Sequence, residues 1–498
     1  MATSPLQQVY RPDFGLLTDL YQLTMAAGYY EQGIHERKAV FHLFFRSAPF
    51  GGKVALAAGL PLAIELINGL KFSADDVQYL GRLTGATGKP LFKEPFLNYL
   101  QRMKFTGDVD AIPEGEIALP HEPLLRIEAP LIQAQLLETA LLTVMNFSTL
   151  VATKAARVKS AAGDDPVIEF GLRRAQGIDG GLTASRSAYI GGCSATSNLW
   201  AGRFYDIPVR GTHAHSWVMV FPDELTAFEA YAEVLPDNCT FLVDTYDSIE
   251  GTKNAIKVGL ALRERGHEMR GIRLDSGDLG ALSIEARKLL DEAGFPKANI
   301  VASDSLDEYA IEKLKAEGAR INVWGIGTRL ATSYDQPALG GVYKLAAIAD
   351  ENGDYRPTVK RSETAAKSSN PGRLGIRRYY AGDEPVGSQL YDTLTGEPEQ
   401  RIVDSSGKEH SLHGEARELL QPVFRGGTEV HGPTDIHRTR DRALANWQRW
   451  KALDMDTFPY GLSPALQSEK ESLLTPTETS AASIPIPPEA AAQLNGTL

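Results

Sequence analysis

Residues 271–278 read Gly-Ile-Arg-Leu-Asp-Ser-Gly-Asp, and residues 321–328 read Ile-Asn-Val-Trp-Gly-Ile-Gly-Thr. Each stretch starts as a short apolar run and ends in polar, glycine-rich chemistry. The same design recurs at 167–171 (VIEFG), 241–245 (FLVDT) and 299–305 (NIVASDS). From 241 onward successive runs start 30, 28 and 22 residues apart. The spacers, such as NAIKVGLALRERG and IEARKLLDEAG, have the apolar spacing of amphipathic helices. Ser305-Leu306-Asp307-Glu308 reads as a capping box opening one of them. Strands alternating with helices at this spacing are βαβ units around a parallel sheet. Function at the carboxyl ends of many strands favours a barrel, because an open sheet gathers its ligand at one switch point.

The rest of the chain lacks that rhythm. Residues 1–12 read as a flexible arm and 13–130 as an N-terminal α+β domain. Within it LLTDLYQLTMAAGYYEQG sets Leu16, Leu20, Leu23 and Ala27 on one helical face, with Thr18 and Asp19 near its start. AVFHLFFRS, from 39, alternates as a strand. A long helix apolar on most sides opens at 131, so the expected β/α barrel spans 131–345. Residues 346–470 read as a segment packing with the N-terminal domain, its short strands alternating with an acidic helix. Residues 471–498, rich in Pro, Ala, Ser and Thr, read as a disordered tail. The expected fold class is α/β: an irregular TIM-like parallel β/α barrel, plus a smaller α+β domain built from both terminal segments.

Composition narrows the function. The chain has 498 residues, 51 Lys and Arg against 63 Asp and Glu, and a net charge of −12. That balance argues against a nucleic-acid backbone as partner. No apolar stretch is long enough to span a membrane. The N-terminus has no secretory pattern. Cys193 and Cys239 are too few for a disulfide framework or a four-thiolate zinc site, and a cytoplasmic location is expected.

Four constellations carry the chemistry. Gly211-Thr212-His213-Ala214-His215-Ser216 sets two imidazoles two residues apart; on a strand both would face one side. That pattern admits a metal site, a catalytic histidine, or one packed and one exposed imidazole. Arg273-Leu274-Asp275-Ser276-Gly277-Asp278 offers a guanidinium for an anion and carboxylates for ribose hydroxyls or Mg²⁺. Gly325-Ile326-Gly327-Thr328 and Ser303-Asp304-Ser305 can cradle phosphate at two strand ends. Phe170 beside Arg173 and Arg174 suits a flat anionic ring.

These motifs, with LLTDLYQLTMA (16–26), FFRSAPFGG (44–52), EFGLRRAQG (169–177), TSNLWAG (196–202) and QPALGGVYKL (336–345), occur in an order that resembles the nicotinate phosphoribosyltransferases. The resemblance covers about residues 13–375. It implies an enzyme of NAD salvage that makes nicotinate mononucleotide from nicotinate and 5-phosphoribosyl 1-pyrophosphate. It further implies ATP as cosubstrate, Mg²⁺ with ligands unassigned, and a homodimer with shared active sites. His215 would be phosphorylated, and Asp275 would be the second catalytic residue. Tyr21, Phe170, Arg173, Asn198, Thr212 and Arg273 would surround nicotinate, Tyr21 from the other subunit. Arg46, Ser276, Gly277, Ser303, Asp304, Gly325, Gly327 and Thr328 would bind the sugar phosphate. The sister enzyme for nicotinamide carries Asp where this chain has Asn198; a neutral side chain there removes repulsion of a carboxylate. The chain departs from the family at Lys360-Arg361-Ser362, and neither Lys360 nor Lys367 is given a role. Rival readings are a phosphoribosyltransferase for nicotinamide or quinolinate, or a non-catalytic nucleotide-binding member of the fold.

Overall fold

The computed structural model describes residues 13–360 and 368–475. The arm expected at 1–12, Lys367 and the tail beyond 475 lie outside the described residues. Residues 471–474, expected in the tail, instead finish a helix, Pro464–Leu474, that Ser463 caps through its hydroxyl.

Six parallel strands form the central sheet. Side by side they run Ala195–Thr196, Val167–Glu169, Val323–Ile326, Asn299–Ala302, Gly271–Leu274 and Thr240–Leu242. In chain order they are second, first, sixth, fifth, fourth and third. Every neighbour is therefore consecutive once the last strand is returned beside the first. This cyclic order is that of a β/α barrel, open between the second and third strands. Residues 207–213 span that opening. Val209 bridges Thr196 in parallel on one side, and the Leu242 N–H donates to His213 Nε2 (3.2 Å) on the other. The barrel is irregular because this stave is held by a side chain where a ladder would otherwise run.

Helices cover the strands because their apolar faces need the sheet. Ser248–Glu264 lies so close that a Cβ on Gly251 would meet the Val243 carbonyl oxygen at 2.1 Å. Ala255, Val258 and Leu262 turn inward from it, and Phe241, Ile272, Ile300, Trp324 and Ile326 fill the core beneath. The capping box expected at Ser305 is not what opens the next helix, Glu308–Ala316. Asp307 caps it, accepting from the Ala310 N–H (2.8 Å), while Ser305 sits at φ +41° in the preceding turn. Two acceptors compete for the helix start, and the one nearer to it takes the N–H groups.

Outside the barrel a seven-stranded sheet draws on both halves of the chain. Lys38–Phe45 lies between Leu125–Pro130 and Gly341–Ala349, all antiparallel, and Asp108–Ala111 pairs with Gln421–Arg425. Lys38–Phe45 is buried from Ala39 to Phe45, on both faces, so the alternation expected for it is absent. The helix expected from 131 forms as two, Leu131–Leu136 and Glu138–Ala162. Two helices begin in the segment where an acidic one is expected: Ile436–Lys451 is basic, carrying Arg438, Arg440, Arg442, Arg449 and Lys451, and Pro464–Leu474 carries Glu469 and Glu471 against Lys470. The acidic stretch at Glu415–Glu418 is a strand. Helix 436–451 ties the layers together: Arg440 Nε donates to the Cys193 carbonyl (3.0 Å), and Trp447 Nε1 donates to Ser160 Oγ (2.8 Å). Among the described residues no helix is long and apolar enough to cross a membrane.

Candidate active site

Five strands end within one mouth, and Arg273 is its centre. Strand 271–274 carries the guanidinium outward at its carboxyl end. There Nε donates to Ser303 Oγ (2.7 Å), Nη1 to Thr212 Oγ1 (3.1 Å) and Nη2 to Asp275 Oδ1 (2.7 Å). Three of its five N–H groups are engaged; one on each terminal nitrogen stays available for a planar anion. The guanidinium carbon lies 5.5 Å from the centroid of the Phe170 ring. Phe170 is placed there by the Gly325 backbone: a Cβ on Gly325 would meet the ring at 2.7 Å. An aromatic face beside a half-free guanidinium can hold a flat ring that bears a carboxylate.

His215 begins the helix His215–Met219 on the other side of Asp275. Its Nδ1 lies 3.1 Å from Thr245 Oγ1, and its Nε2 lies 3.8 Å from Asp275 Oδ2. The side chain is 38% exposed, so a ligand can reach it. His213 is different. Residues 211–214 form no strand, so the two imidazoles do not share a face. His213 is buried against Phe228, Tyr231 and Phe241. Burial pushes its pKa down to about 4. The neutral ring accepts the Leu242 N–H, which closes the barrel opening. GTHAHS thus resolves into one packed and one accessible histidine. Among the described residues no group of three or more His, Cys, Asp or Glu side chains is placed to hold a metal.

Asp244 and Thr245, which end the neighbouring strand run, were not singled out from the sequence. Asp244 Oδ2 accepts from the Asp275 N–H (3.0 Å) and from Ser276 Oγ (2.6 Å). Its Oδ1 is buried without a hydrogen-bond partner. The signal was available: both stand at the carboxyl end of FLVDT, the place that every other functional run uses.

The remaining expected residues divide. Ser276, Gly277 (φ +82°), Asp304 and Thr328 are exposed around the mouth; Ser303 and Gly325 are buried in it. Gly327 precedes the turn Thr328–Ala331. Arg173 is exposed on the turn Leu172–Arg174 that follows Phe170. Tyr21 is not brought to Arg273. It is half exposed on helix Leu20–Glu31 and lines a cleft with Asp19, Glu138, Thr139, Asn146 and Pro337. Arg46 follows the strand of the outer sheet, and its Nε is buried without a partner. Asn198 is 1% exposed and its amide is engaged. Oδ1 caps helix Leu199–Tyr205, accepting from Trp200 and Ala201 N–H groups, and Nδ2 donates to Ser185 Oγ (3.1 Å). The contact with a ring substituent expected of Asn198 finds no free group there.

Two family models match the chain. One describes the nicotinate phosphoribosyltransferase N-terminal domain and covers residues 16–146; the other, the nicotinate phosphoribosyltransferase family, covers 167–390. A curated nicotinate phosphoribosyltransferase of Bacillus subtilis (strain 168) is 51% identical over 469 residues, spanning 91% of this chain and 94% of its own. The Homo sapiens protein of that name is 39% identical over 434 residues, spanning 76% and 79%. The crystal structure of human nicotinic acid phosphoribosyltransferase superposes with a TM-score of 0.79 at 32% identity, over 92% of this chain and 99% of that one. A nicotinate-nucleotide pyrophosphorylase from Pyrococcus furiosus shares the fold, with a TM-score of 0.68 at 21% identity. The family expected from the motifs is the one found, and with matches of this extent and identity the chain belongs to the nicotinate phosphoribosyltransferase family of enzymes.

Proposed function

We propose that this enzyme joins nicotinate to 5-phosphoribosyl 1-pyrophosphate, forming nicotinate mononucleotide for NAD salvage, and that ATP hydrolysis is coupled through phosphorylation of His215. The observation that carries this is the placing of Arg273 between Phe170 and Asp275, with His215 on the far side of that carboxylate. Nicotinate lies against Phe170, its carboxylate taking the two free N–H groups of Arg273 beside the Thr212 hydroxyl. Arg173 adds positive charge at the rim. Orienting the pyridine nitrogen toward the sugar is the main work of this corner.

The sugar phosphate takes the opposite corner. Ser276 and Gly277, Asp304, and Gly327 and Thr328 face it from three adjacent strand ends; Ser303 and Gly325, expected with them, lie instead at the ring corner, against Arg273 and Phe170. Bond breaking leaves positive charge on the anomeric carbon, and Asp275 is the carboxylate placed to stabilise it. Mg²⁺ fits this set: Asp244 Oδ1 is buried without a partner, and Asp275 and Asp304 offer further hard oxygens. When bound, Mg²⁺ neutralises charge on the departing pyrophosphate. Asp244, with Asp275 or Asp304, would hold it.

In the tautomer with its proton on Nδ1, shared with Thr245 Oγ1, His215 keeps the Nε2 lone pair free. That lone pair takes the γ-phosphoryl group of ATP; the N–P bond forms as the bond to ADP breaks. Tyr21 and Arg46, both away from the Arg273 corner of their own chain, serve the site of a second copy in a homodimer. The substrates and the buried, unpaired thiols fit a cytoplasmic location.

The test is turnover with 5-phosphoribosyl 1-pyrophosphate and Mg²⁺, offering nicotinate, nicotinamide or quinolinate separately, each with and without ATP. Mononucleotide from nicotinate alone among the rings, increased by ATP, is the expected result. His215→Ala abolishes the ATP effect and the acid-labile phosphoryl label on the protein. Equal turnover of nicotinamide, or an ATP effect that survives His215→Ala, overturns the reading.

A further inference from the structure

Behind the mouth, on helix Glu138–Ala162, lies a lysine that the reaction as described does not use. The Lys154 side chain has no exposed surface. Its ammonium sits 2.6 Å from Glu308 Oε2 and also bonds Asp335. These two carboxylates belong to different turns. Glu308 follows the Ser303–Asp307 turn and opens the next helix. Asp335 follows the turn that begins at Gly327 and Thr328. Arg329, next to Thr328, ties the same two turns from outside: its Nη1 lies 2.9 Å from Asp307 Oδ2 and 3.4 Å from Asp335 Oδ1. Arg157, one turn along the helix from Lys154, donates to Glu308 Oε1 (2.7 Å) and to the Tyr309 hydroxyl (2.9 Å).

The set balances three cations (Lys154, Arg157, Arg329) against three carboxylates (Asp307, Glu308, Asp335). A buried ammonium is costly, and an apolar side chain of similar size often serves stability as well or better. Stability alone therefore does not explain this arrangement. Its geometry does something an apolar group cannot: one fixed charge draws two separate loops to a single point. The loops are the two assigned above to the phosphates.

We infer that Lys154 is a positioning residue for the sugar-phosphate substrate, setting the separation of the Ser303–Asp307 and Gly327–Asp335 turns through Glu308 and Asp335. The inference rests on the reading that these turns bind 5-phosphoribosyl 1-pyrophosphate. Lys154 holds these turns at their far ends, Glu308 and Asp335, whereas the ring corner meets them at Ser303 and Gly325, so the larger effect falls on the sugar phosphate.

Steady-state kinetics on the full chain test this with Lys154→Met, Lys154→Arg, Asp335→Asn and, as a marker of the phosphate turn itself, Thr328→Val. Thermal melting is measured for each. Lys154→Met and Asp335→Asn raise KM for 5-phosphoribosyl 1-pyrophosphate about tenfold and leave KM for nicotinate within about twofold. Lys154→Arg restores most of the loss. If Lys154→Met does not fold, Asp335→Asn, whose carboxylate is 31% exposed, decides the matter. Folded variants with unchanged KM for the sugar phosphate, or with both KM values raised together, overturn the inference. If Thr328→Val also leaves that KM unchanged, the assignment of the turns itself has failed. If Thr328→Val raises it and the Lys154 and Asp335 variants do not, only the positioning role has.

Discussion

Asn198→Asp replaces two donated hydrogen bonds with a carboxylate in a place that already holds one. Ser185 Oγ, which accepts from Asn198, donates to the buried carboxylate of Glu169 (2.9 Å), and Glu169 also accepts from Thr196 Oγ1 (2.6 Å). The added charge faces that of Glu169 across the Ser185 hydroxyl. We expect kcat/KM for nicotinate to fall about tenfold or more, with a loss of stability of about 2 kcal/mol, as for a buried unpaired group. Nicotinamide kinetics measured in parallel separate a charge effect, which spares the amide, from a folding effect, which does not. Neutrality at 198 was legible from residue type; the use of both amide atoms in capping and packing was not, because it depends on where helix 178–190 comes to lie. For the two histidines, likewise, residue type shows that one imidazole can be accessible. Only the chain path past Tyr231 shows which.

At the scale of the element, close approach sets the geometry. Gly325 on strand 323–326 lets the Phe170 ring cross it, with Ser303 Cβ 3.2 Å from where a methyl group would go. Gly325→Ala pushes that ring off its position; an overpacked site of this kind costs about 1–3 kcal/mol. We expect KM for nicotinate to rise several-fold while KM for the sugar phosphate changes little, which two-substrate kinetics resolve. The runs that became barrel strands were legible because each pairs an apolar core segment with polar strand-end chemistry. The strand Ala195–Thr196 was not, being two residues long and set by its neighbour's ladder. The helix start at Asp307 was missed because Ser305 and Asp307 both satisfy the local capping rule and only the turn's backbone chooses between them. The basic charge of helix 436–451 is legible in its own arginines; that Arg440 and Arg442 spend donors on carbonyls of other elements is not, because it depends on where the helix comes to lie.

Across the whole molecule, two distant histidines do the same structural work. His42, in the outer sheet, accepts the Leu374 N–H (3.3 Å), as His213 accepts that of Leu242. Burial, with Arg126 nearby, pushes His42 down to about 3. Both pKa values lie below that of an unfolded histidine, near 6.5. As the pH falls below about 6.5 the unfolded chain takes up protons that the folded chain refuses, so stability drops progressively toward pH 4. Thermal midpoints measured across that window are expected to decline, and less steeply for His42→Gln, whose amide oxygen can accept the same N–H. A midpoint flat between pH 6.5 and 4 in the unsubstituted protein would contradict this.

The outer sheet also has a schedule. Strand Lys38–Phe45 leaves the ribosome roughly 300 residues before its partner Gly341–Ala349, and Asp108–Ala111 waits about as long for Gln421–Arg425. At about 5–20 residues per second, that is tens of seconds of translation with Val40, Leu43 and Phe45 lacking one edge of their sheet. The barrel strands, 167 to 326, emerge entirely within this interval. The nascent chain can thus finish its centre while these earlier strands stand open, and the window of greatest exposure to aggregation falls on strands made before the barrel.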